Sequence, residues 1–209
     1  MISCTGLFFN FDFFLSMFEI FRKYLEEKVA ISDSDYAFIK SVSVIKRLRK
    51  HQLLLNADDR WSSHAFVCEG LLRKFSIDEK GSEHTVYFAF ENWWVGDRES
   101  LMNNLPSKYY IEAIEDSVVL LIHDENFQEI FRKVPQIKDL VNTILQRSLN
   151  AAHERINATF KSTAEEKYKH FLKSSPNLAN RVPLHMLASY LGITPETLSR
   201  IRKQIAKTK

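Results

Sequence analysis

The chain has 209 residues, of which 45% are hydrophobic and 26% are charged, so it can bury a core and is neither globally disordered nor collagen-like. Its net charge is +3, and no apolar stretch is long enough to predict a membrane-spanning helix. Cys4 and Cys68 are too few for a disulfide scaffold, a four-thiolate zinc site or a four-cysteine iron–sulfur cluster, and we expect a reducing cytoplasm.

The charge is spread unevenly along the chain. Residues 1–160 contain 19 Lys/Arg and 23 Asp/Glu, a net charge of −4, whereas residues 161–209 contain 10 and 3, a net charge of +7. A basic segment behind a mildly acidic body is typical of a nucleic-acid-binding module attached to another domain. The alternative is a basic tail that is simply solvated.

The N-terminal region predicts two helices. Apolar residues recur at helical spacing over 17–29, and Ser32 followed by acidic residues predicts the N-cap of a second helix over 33–42. Residues 1–16 are rich in phenylalanine but contain Asn10 and Asp12. We expect this segment to be a translational-start artefact or a flexible extension.

The pattern changes between Val44 and His123 to short β-branched and aromatic runs separated by turn signals. Asp78–Gly81 predicts a hairpin loop in which Gly81 takes a positive φ, and Glu69–Gly70 predicts a tight turn or bulge. Short strands without intervening helices predict an antiparallel sandwich or barrel. The predicted strands are Leu53–Leu55, His64–Cys68, Leu71–Ile77, Thr85–Phe90, Tyr109–Ile114 and Val118–Ile122.

Helical periodicity returns at about 124, where Asp124 is predicted to cap a short helix, and a long helix follows over 136–160. The apolar stripe of the long helix is wider than one globular face requires, and its spacings of three and four resemble a coiled-coil seam. We therefore expect a dimerisation helix, the alternative being one amphipathic helix buried within its own chain. The predicted dimer positions are Ile137, Val141, Ile144, Leu145, Leu149, Ala152 and Ile156.

The C-terminal segment predicts a helix-turn-helix, preceded by an amphipathic helix over 164–174. Gly192 ends the first helix in a left-handed C-cap, Thr194 is the N-cap of the next, and Pro195 is its first residue. Leu198 and Ile201 are expected to face inward. The alternative is an ordinary helical hairpin that carries a solvated ion pair.

A recognition helix presents its N-terminal residues to the major groove, where Arg can bind guanine and Glu can accept from cytosine N4. Glu196 and Arg200 lie four residues apart, so we expect them to share one face and to brace each other. The predicted base contacts are Glu196, Thr197, Ser199 and Arg200. The predicted phosphate contacts are Thr194, Arg202, Lys203 and Lys207.

With this recognition segment, the order of β-roll, long helix and helix-turn-helix over residues 17–205 resembles the CRP/FNR family of bacterial transcription regulators. The resemblance implies an α+β fold with an N-terminal antiparallel β-roll (a cupin-like double-stranded β-helix) over 17–135, a dimerisation helix over 136–160 and a winged helix-turn-helix over 161–209. It also implies a homodimer that binds double-stranded DNA at a palindrome with a TGA/TCA-like core. Pro195 stands where some members carry a further base-reading Arg.

The effector pocket of the predicted β-roll departs from the family pattern. Members that bind cyclic AMP carry a Gly-Glu pair and, ten residues after the Glu, an Arg-Ser pair that neutralises the phosphate. Here the matching residues are Gly96, Asp97, Ser107 and Lys108. Loss of a charge-assisted bond to a phosphate costs about 1.5–3 kcal/mol, so we expect a degraded effector pocket, no cyclic AMP response and no other cofactor.

Three classes of function remain to be compared. The leading interpretation is a DNA-binding regulator, and the alternative is a β-roll that binds an unidentified small-molecule effector, with DNA binding secondary. An enzyme is least supported, because the sequence contains no Gly-rich phosphate loop, nucleophile elbow or zinc signature. The seven His residues show no paired ligand spacing, so no metal site is expected. The resemblance would also allow RNA polymerase as a partner, whereas no binding to a membrane is expected.

Overall fold

The structure is a computed structural model that describes residues 5–207, with side chains described for residues 12–206. The described chain divides into two compact units. Unit 1 consists of residues 5–74 and 88–143, and unit 2 consists of residues 75–87 and 144–207.

The β-roll is built from two four-stranded sheets with strand orders β1-β8-β3-β6 and β2-β7-β4-β5. The registered pairs are antiparallel, for example Phe66 opposite Leu120, which confirms the predicted antiparallel architecture. The strands are β1 (Ser43–Leu48), β2 (Leu53–Leu55), β3 (Ser63–Glu69), β4 (Leu72–Ile77), β5 (Glu83–Ala89), β6 (Trp94–Val95), β7 (Tyr110–Ala113) and β8 (Ser117–His123). The helices that flank these strands are α1 (Thr5–Glu26), α2 (Asp33–Ser41), α3 (Arg98–Asn103) and α4 (Asp124–Lys133). The sequence prediction missed β1, the two-residue β6 and α3.

An aromatic cluster attaches the flanking helices to β3. The ring of Phe66 lies 4.8 Å from Phe21 on α1 and 5.4 Å from Trp94, and Trp94 lies 5.7 Å from Phe127 on α4. Phe66 has no exposed surface. Since aromatic side chains bury large apolar areas and favour tilted contacts, this cluster forms the centre of the unit 1 core.

Helix α1 begins at Thr5, twelve residues before the predicted start at residue 17. Residues 1–4 and the side chains of residues 1–11 lie outside the described part, but Phe13 contacts the rest of unit 1. The Arg47 guanidinium lies 3.6 Å from the centre of the Phe13 ring, which is a cation–π contact. Residues 5–16 therefore belong to the same helix as residues 17–26.

The start of α4 differs from the sequence prediction. The N-cap is His123, and it makes no side-chain capping bond, whereas Asp124 is the first helical residue. The Asp124 carboxylate instead lies 2.8 Å from Nε2 of His64, whose ring stacks on Phe127 at 3.8 Å. The acidic side chain is used in a contact between β3 and α4, which a local capping pattern cannot reveal.

Cys68 lies in β3 as a buried free thiol. Its burial raises the pKa of the thiol to about 12, so the nucleophilic thiolate is scarce at neutral pH. Cys4 lies outside the described residues.

Unit 2 contains a three-helix bundle behind the long helix α5 (Pro135–Lys161), which begins in unit 1. The bundle consists of α6 (Ala164–Ser174), α7 (Leu184–Leu191) and α8 (Pro195–Lys207). A capping box between Thr163 and Glu166 starts α6, and Gly192 ends α7 at φ 68° as predicted. Buried apolar residues from all three helices form the core, namely Tyr168, Phe171, Met186, Leu187, Ala188, Leu191, Leu198 and Ile201. None of the helices in the described range is long and apolar enough to cross a membrane.

The predicted wing is not part of unit 2 as described. Residues 162–207 contain no strand, and the connection from α6 to α7 consists of hydrogen-bonded turns. In these turns Arg181 N and Val182 N both donate to Leu178 O. Leu178 and Val182 are buried, so this connection contributes to the helical core instead of extending as a hairpin.

Gly70 is a backbone position of the β-roll at which a side chain is expected to lower stability. It takes a φ of 96°, and a Cβ built on it would lie 2.2 Å from Ser117 Oγ. We expect Gly70→Ala to lower the free energy of unfolding by about 2–4 kcal/mol, because the strained φ and the overpacking add. Gly81→Ala is the control, since Gly81 has a φ of 79° but nothing within 4 Å of its built Cβ. Urea denaturation of both variants measures the difference, and equal losses would contradict the packing argument.

Candidate nucleic-acid interface

Helix α8 is oriented by two apolar side chains. Leu198 and Ile201 are 0% and 3% exposed, respectively, and they face the bundle core as predicted. Because helical residues three or four apart share a face, this burial turns the polar residues of α8 outward. Glu196 and Arg200 are exposed, and Thr197 and Ser199 are half-buried.

The start of α8 is fixed by Thr194. Its Oγ1 accepts from the backbone N–H of Thr197 at 3.2 Å and also lies 3.1 Å from the Thr197 hydroxyl. Pro195 is the first helical residue, where its missing N–H costs nothing. The predicted N-cap and helix start are therefore confirmed.

The polar face of α8 borders a shallow depression of about 610 Å³. Leu184 from α7 contributes an apolar side chain to its lining, and α8 contributes charged side chains. The lining residues are Leu184, Pro195, Glu196, Ser199, Arg200, Lys203 and Gln204. The structure thus brings Glu196, Ser199, Arg200 and Lys203 to one concave surface, whereas Thr197 and Arg202 lie outside its lining.

Glu196 and Arg200 do not brace each other as expected, because no ion pair joins them within the described chain. A bond from its own backbone N–H, followed by one from the Thr194 hydroxyl, lowers the pKa of Glu196. Glu196 is thus a carboxylate acceptor at neutral pH. Since neither charge neutralises the other, both an acceptor and a donor face outward four residues apart.

The predicted phosphate contacts lie at the start of α8 and along it. Thr194 and Lys203 are exposed, and Arg202 is half-buried. The side chain of Lys207 lies outside the described residues. The arrangement offers cations beside the face that carries Glu196 and Arg200.

Helix α5 leaves large apolar side chains uncovered in its second half. Leu149 is 50% exposed, Ile156 is 55% exposed and Phe160 is 82% exposed. Ala152 and the pair Ile144 and Leu145 are half-buried, as is Val141 nearer the start of the helix. Ile137 differs from the other predicted dimer positions, because its side chain is only 4% exposed within its own chain and is not available to a second copy.

The region predicted as a degraded effector pocket is filled by the chain itself. Asp97 is 3% exposed; its Oδ2 accepts from the Ser107 hydroxyl at 2.7 Å, and its Oδ1 lies 3.1 Å from Lys74 Nζ. Burial would raise the pKa of Asp97, but the bonds from Ser107 and Lys74 outweigh it and lower the pKa. Gly96 is packed so closely that a Cβ would lie 2.7 Å from Trp61 Nε1.

Lys74 is the residue that the sequence prediction missed at this site. Its side chain is 9% exposed, its Nζ donates to Gly96 O at 3.3 Å, and it lies 4.0 Å from the centre of the Tyr109 ring. Burial lowers the pKa of Lys74 despite the nearby Asp97. A signal was present in the sequence, because Arg73 and Lys74 are adjacent charges in an otherwise apolar strand.

Lys108, the last residue of the predicted effector pocket, forms an ion pair at the surface. Its side chain is 73% exposed, and its Nζ lies 3.2 Å from Glu99 Oε1. In the described part of the chain, no group of His, Cys, Asp or Glu side chains is arranged to hold a metal ion.

The buried ion pair of Lys74 and Asp97 predicts a large loss of stability in Asp97→Asn. The substitution leaves Lys74 buried without a counter-charge, so we expect the free energy of unfolding to fall by about 3 kcal/mol. Glu99→Gln is the control, because it breaks the surface pair with Lys108 and is expected to cost less than about 1 kcal/mol. Equal effects in urea denaturation would contradict the buried pair.

The same pair has a defined pH dependence. The pKa of folded Asp97 lies below its ordinary value of 3.8, so the stabilisation is complete above that value and is lost as the pH falls through the folded pKa. The stability difference between the wild-type chain and Asp97→Asn is therefore expected to be constant at neutral pH and to shrink in more acidic buffers. Urea denaturation across a pH series measures this difference, and a difference that grows in acid would contradict the account.

Known proteins resemble this chain in both sequence and structure. The family model "Cyclic nucleotide-binding domain" matches residues 45–134. Regulatory protein HlyX of Actinobacillus pleuropneumoniae is 25% identical over 174 residues, covering 78% of this chain and 72% of the relative. The fumarate and nitrate reduction regulatory protein of Vibrio cholerae is 27% identical over 177 residues, covering 78% of this chain and 69% of the relative.

Solved structures share the fold. FixK2 from Bradyrhizobium japonicum has a TM-score of 0.71 at 20% identity, covering 80% of this chain and 86% of that chain. A CooA variant from Carboxydothermus hydrogenoformans has a TM-score of 0.67 at 18% identity, covering 81% and 79%. Together, these matches show that the chain shares the fold of these solved structures and is similar in sequence to the two regulatory proteins.

Proposed function

We propose that this chain is a transcription regulator that binds a palindromic DNA operator as a homodimer. The observation that carries the proposal is the geometry of α8. Burial of Leu198 and Ile201 leaves Glu196, Ser199 and Arg200 facing outward at the start of the helix. A recognition helix of a helix-turn-helix uses the same region to contact base edges.

The chemistry of this face fits base recognition in the major groove. The Arg200 guanidinium can donate two bonds to O6 and N7 of guanine, and the ionised Glu196 can accept from N4 of cytosine. Ser199 can serve as donor or acceptor. A TGA/TCA-like half-site offers both a guanine and a cytosine within one major-groove segment.

Electrostatics supports DNA as the partner. Residues 161–209 carry a net charge of +7, and Lys203 and Arg202 lie beside the recognition face. Cations near phosphates release counterions when they bind, which contributes affinity that is independent of sequence. We assign Thr194, Arg202 and Lys203 to phosphate contacts, whereas Thr197 joins the base-reading face.

The uncovered side of α5 supports a homodimer. Leu149, Ile156 and Phe160 are separated by seven and four residues and are at least half exposed. Exposed apolar side chains at this spacing form the seam of a two-stranded coiled coil. A twofold partner would cover them and would place two recognition helices on one duplex.

The filled pocket supports DNA binding without a cyclic nucleotide. Lys74 and Ser107 already satisfy Asp97, and Lys108 pairs with Glu99 at the surface. A bound phosphate would have to displace a buried ion pair, which is costly. This arrangement favours the DNA-binding regulator over the alternative of a β-roll that mainly senses a small-molecule effector.

Arg200→Ala tests the base-reading role. We expect it to weaken binding to a TGA/TCA palindrome by about 1–3 kcal/mol and to relax base choice at the contacted position. Arg202→Ala is the matched control, because loss of a phosphate contact weakens all sequences evenly and reduces the salt slope by about 1. Fluorescence anisotropy on specific and scrambled duplexes at several salt concentrations measures both. Identical sequence-independent losses in the two variants would contradict the assignment.

Ile156→Glu tests the dimer. Placing a charge on each side of an apolar seam disrupts association, so we expect a monomeric mass in light scattering at micromolar concentration, where the wild-type chain is dimeric. Val44→Glu is the control, since Val44 is 64% exposed but lies on β1. A wild-type chain that is monomeric at this concentration, or an Ile156→Glu chain that remains dimeric, would contradict the proposed seam.

A further inference from the structure

Three hydrogen bonds tie helices of unit 2 to the backbone of β5. The Thr85 N–H donates to Ser189 Oγ at 2.9 Å, and the Ser189 hydroxyl donates to Glu83 O at 2.9 Å. The Arg155 guanidinium donates to Val86 O. Strand β5 is at the end of its sheet, so these side chains occupy backbone groups that an edge strand leaves open.

The same side chains join three helices. Ser189 is on α7, and Arg155 is on α5. The Arg155 guanidinium also lies 5.1 Å from the centre of the Tyr190 ring on α7, and Tyr190 lies 5.9 Å from Phe171 on α6. We call the contacts of Ser189 and Arg155 with residues 83–86 the β5 clamp. The clamp fixes α7 to the second half of α5 through residues that are adjacent on α7.

The clamp does not use the recognition face. Ser189 lies before Gly192 on α7, whereas Glu196 and Arg200 on α8 remain exposed. Helix α8 packs on α7 through the buried Leu198. The clamp therefore constrains the orientation of α8 while it leaves the base-reading side chains accessible.

We propose that Ser189 and Arg155 are positioning residues for operator binding: they hold each helix-turn-helix at a fixed orientation to α5, and so set which half-site spacing the dimer accepts. The proposal rests on the proposed function. Two recognition helices of a dimer must enter major grooves whose centres are ~34–36 Å apart. If each helix-turn-helix pivoted freely on α5, that freedom would be lost on binding and would lower affinity.

The clamp is expected to affect binding to a whole operator differently from binding to half of it. A single half-site requires one folded helix-turn-helix, and its orientation to α5 is irrelevant. A palindrome requires both at once, so the effective concentration of the second contact depends on the orientation of each unit. Removal of the clamp should therefore reduce affinity for the palindrome and leave affinity for the half-site unchanged.

Ser189→Ala is the informative variant, because it removes both hydroxyl bonds, and Ser189→Thr restores a hydroxyl. Thr85→Val is the matched control. The clamp uses the Thr85 backbone N–H, whereas the Thr85 hydroxyl is buried without a hydrogen-bond partner in the described part of the chain. Replacement of an unsatisfied hydroxyl by a group of the same shape is nearly neutral or stabilising. Arg155→Met tests the second arm of the clamp.

The experiment compares three duplexes by fluorescence anisotropy: a TGA/TCA palindrome, a single half-site, and the palindrome with two base pairs inserted at its centre. For Ser189→Ala and Arg155→Met we expect about tenfold weaker binding to the palindrome, from the loss of one or two hydrogen bonds per subunit. Half-site binding should be unchanged, and discrimination against the inserted spacer should shrink. Ser189→Thr and Thr85→Val should behave as the wild-type chain.

Two results would overturn the proposal. Equal losses of affinity for the half-site and the palindrome would show that Ser189 only supports folding. Unchanged or tighter binding to the palindrome would show that the clamp does not prepare the chain for DNA. Hydrogen exchange at the Thr85 amide, faster in Ser189→Ala, verifies that the contact has been broken. Failure of the wild-type chain to prefer the palindrome would overturn the proposed function and this proposal with it, whereas normal wild-type binding with unaltered variants overturns this proposal alone.

Discussion

The burial of Leu198 and Ile201 is the constraint that sets the outward face of α8 and, with it, the proposed function. Both side chains fill the core of the three-helix bundle, and their position on α8 decides which residues face outward. Because α8 starts at a cap on Thr194 and buries these two side chains, the helix face that carries Glu196 and Arg200 is directed outward. The proposed base-reading surface is thus a consequence of apolar packing behind it.

The β-roll shows a different use of burial. Residues 45–134 match a domain model named for cyclic nucleotides, yet a buried lysine and a buried aspartate fill the region predicted as the effector pocket. Lys74, Asp97 and Ser107 satisfy one another inside unit 1. The cost of burying two charges is offset by their mutual attraction and by the Ser107 hydroxyl. The site is organised as a structural element.

Local patterns in the sequence were sufficient for much of the fold and for the recognition face. The Gly192 cap, the Thr194 N-cap and the inward Leu198 are set by residues within one helical turn, so they could be predicted. The missed elements depend on distant partners. Lys74 bonds to Asp97, which is 23 residues away, and Ser189 bonds to Thr85, which is more than a hundred residues away. Local sequence patterns do not encode such pairs.

The errors have the same origin. Asp124 resembles a cap but contacts His64. Glu196 and Arg200 have the spacing of an ion pair, yet Glu196 accepts from its own backbone and from Thr194. In each case a tertiary or capping contact takes the side chain that the local pattern had assigned elsewhere.

The most direct test of the central claim is a hydroxyl-radical footprint of the wild-type chain on a duplex that carries a TGA/TCA palindrome. We expect two protected segments of equal strength on one face of the duplex, centred ~34–36 Å apart. Uniform protection without position dependence, or one protected segment at saturation, would contradict the claim that α8 reads DNA as half of a twofold pair.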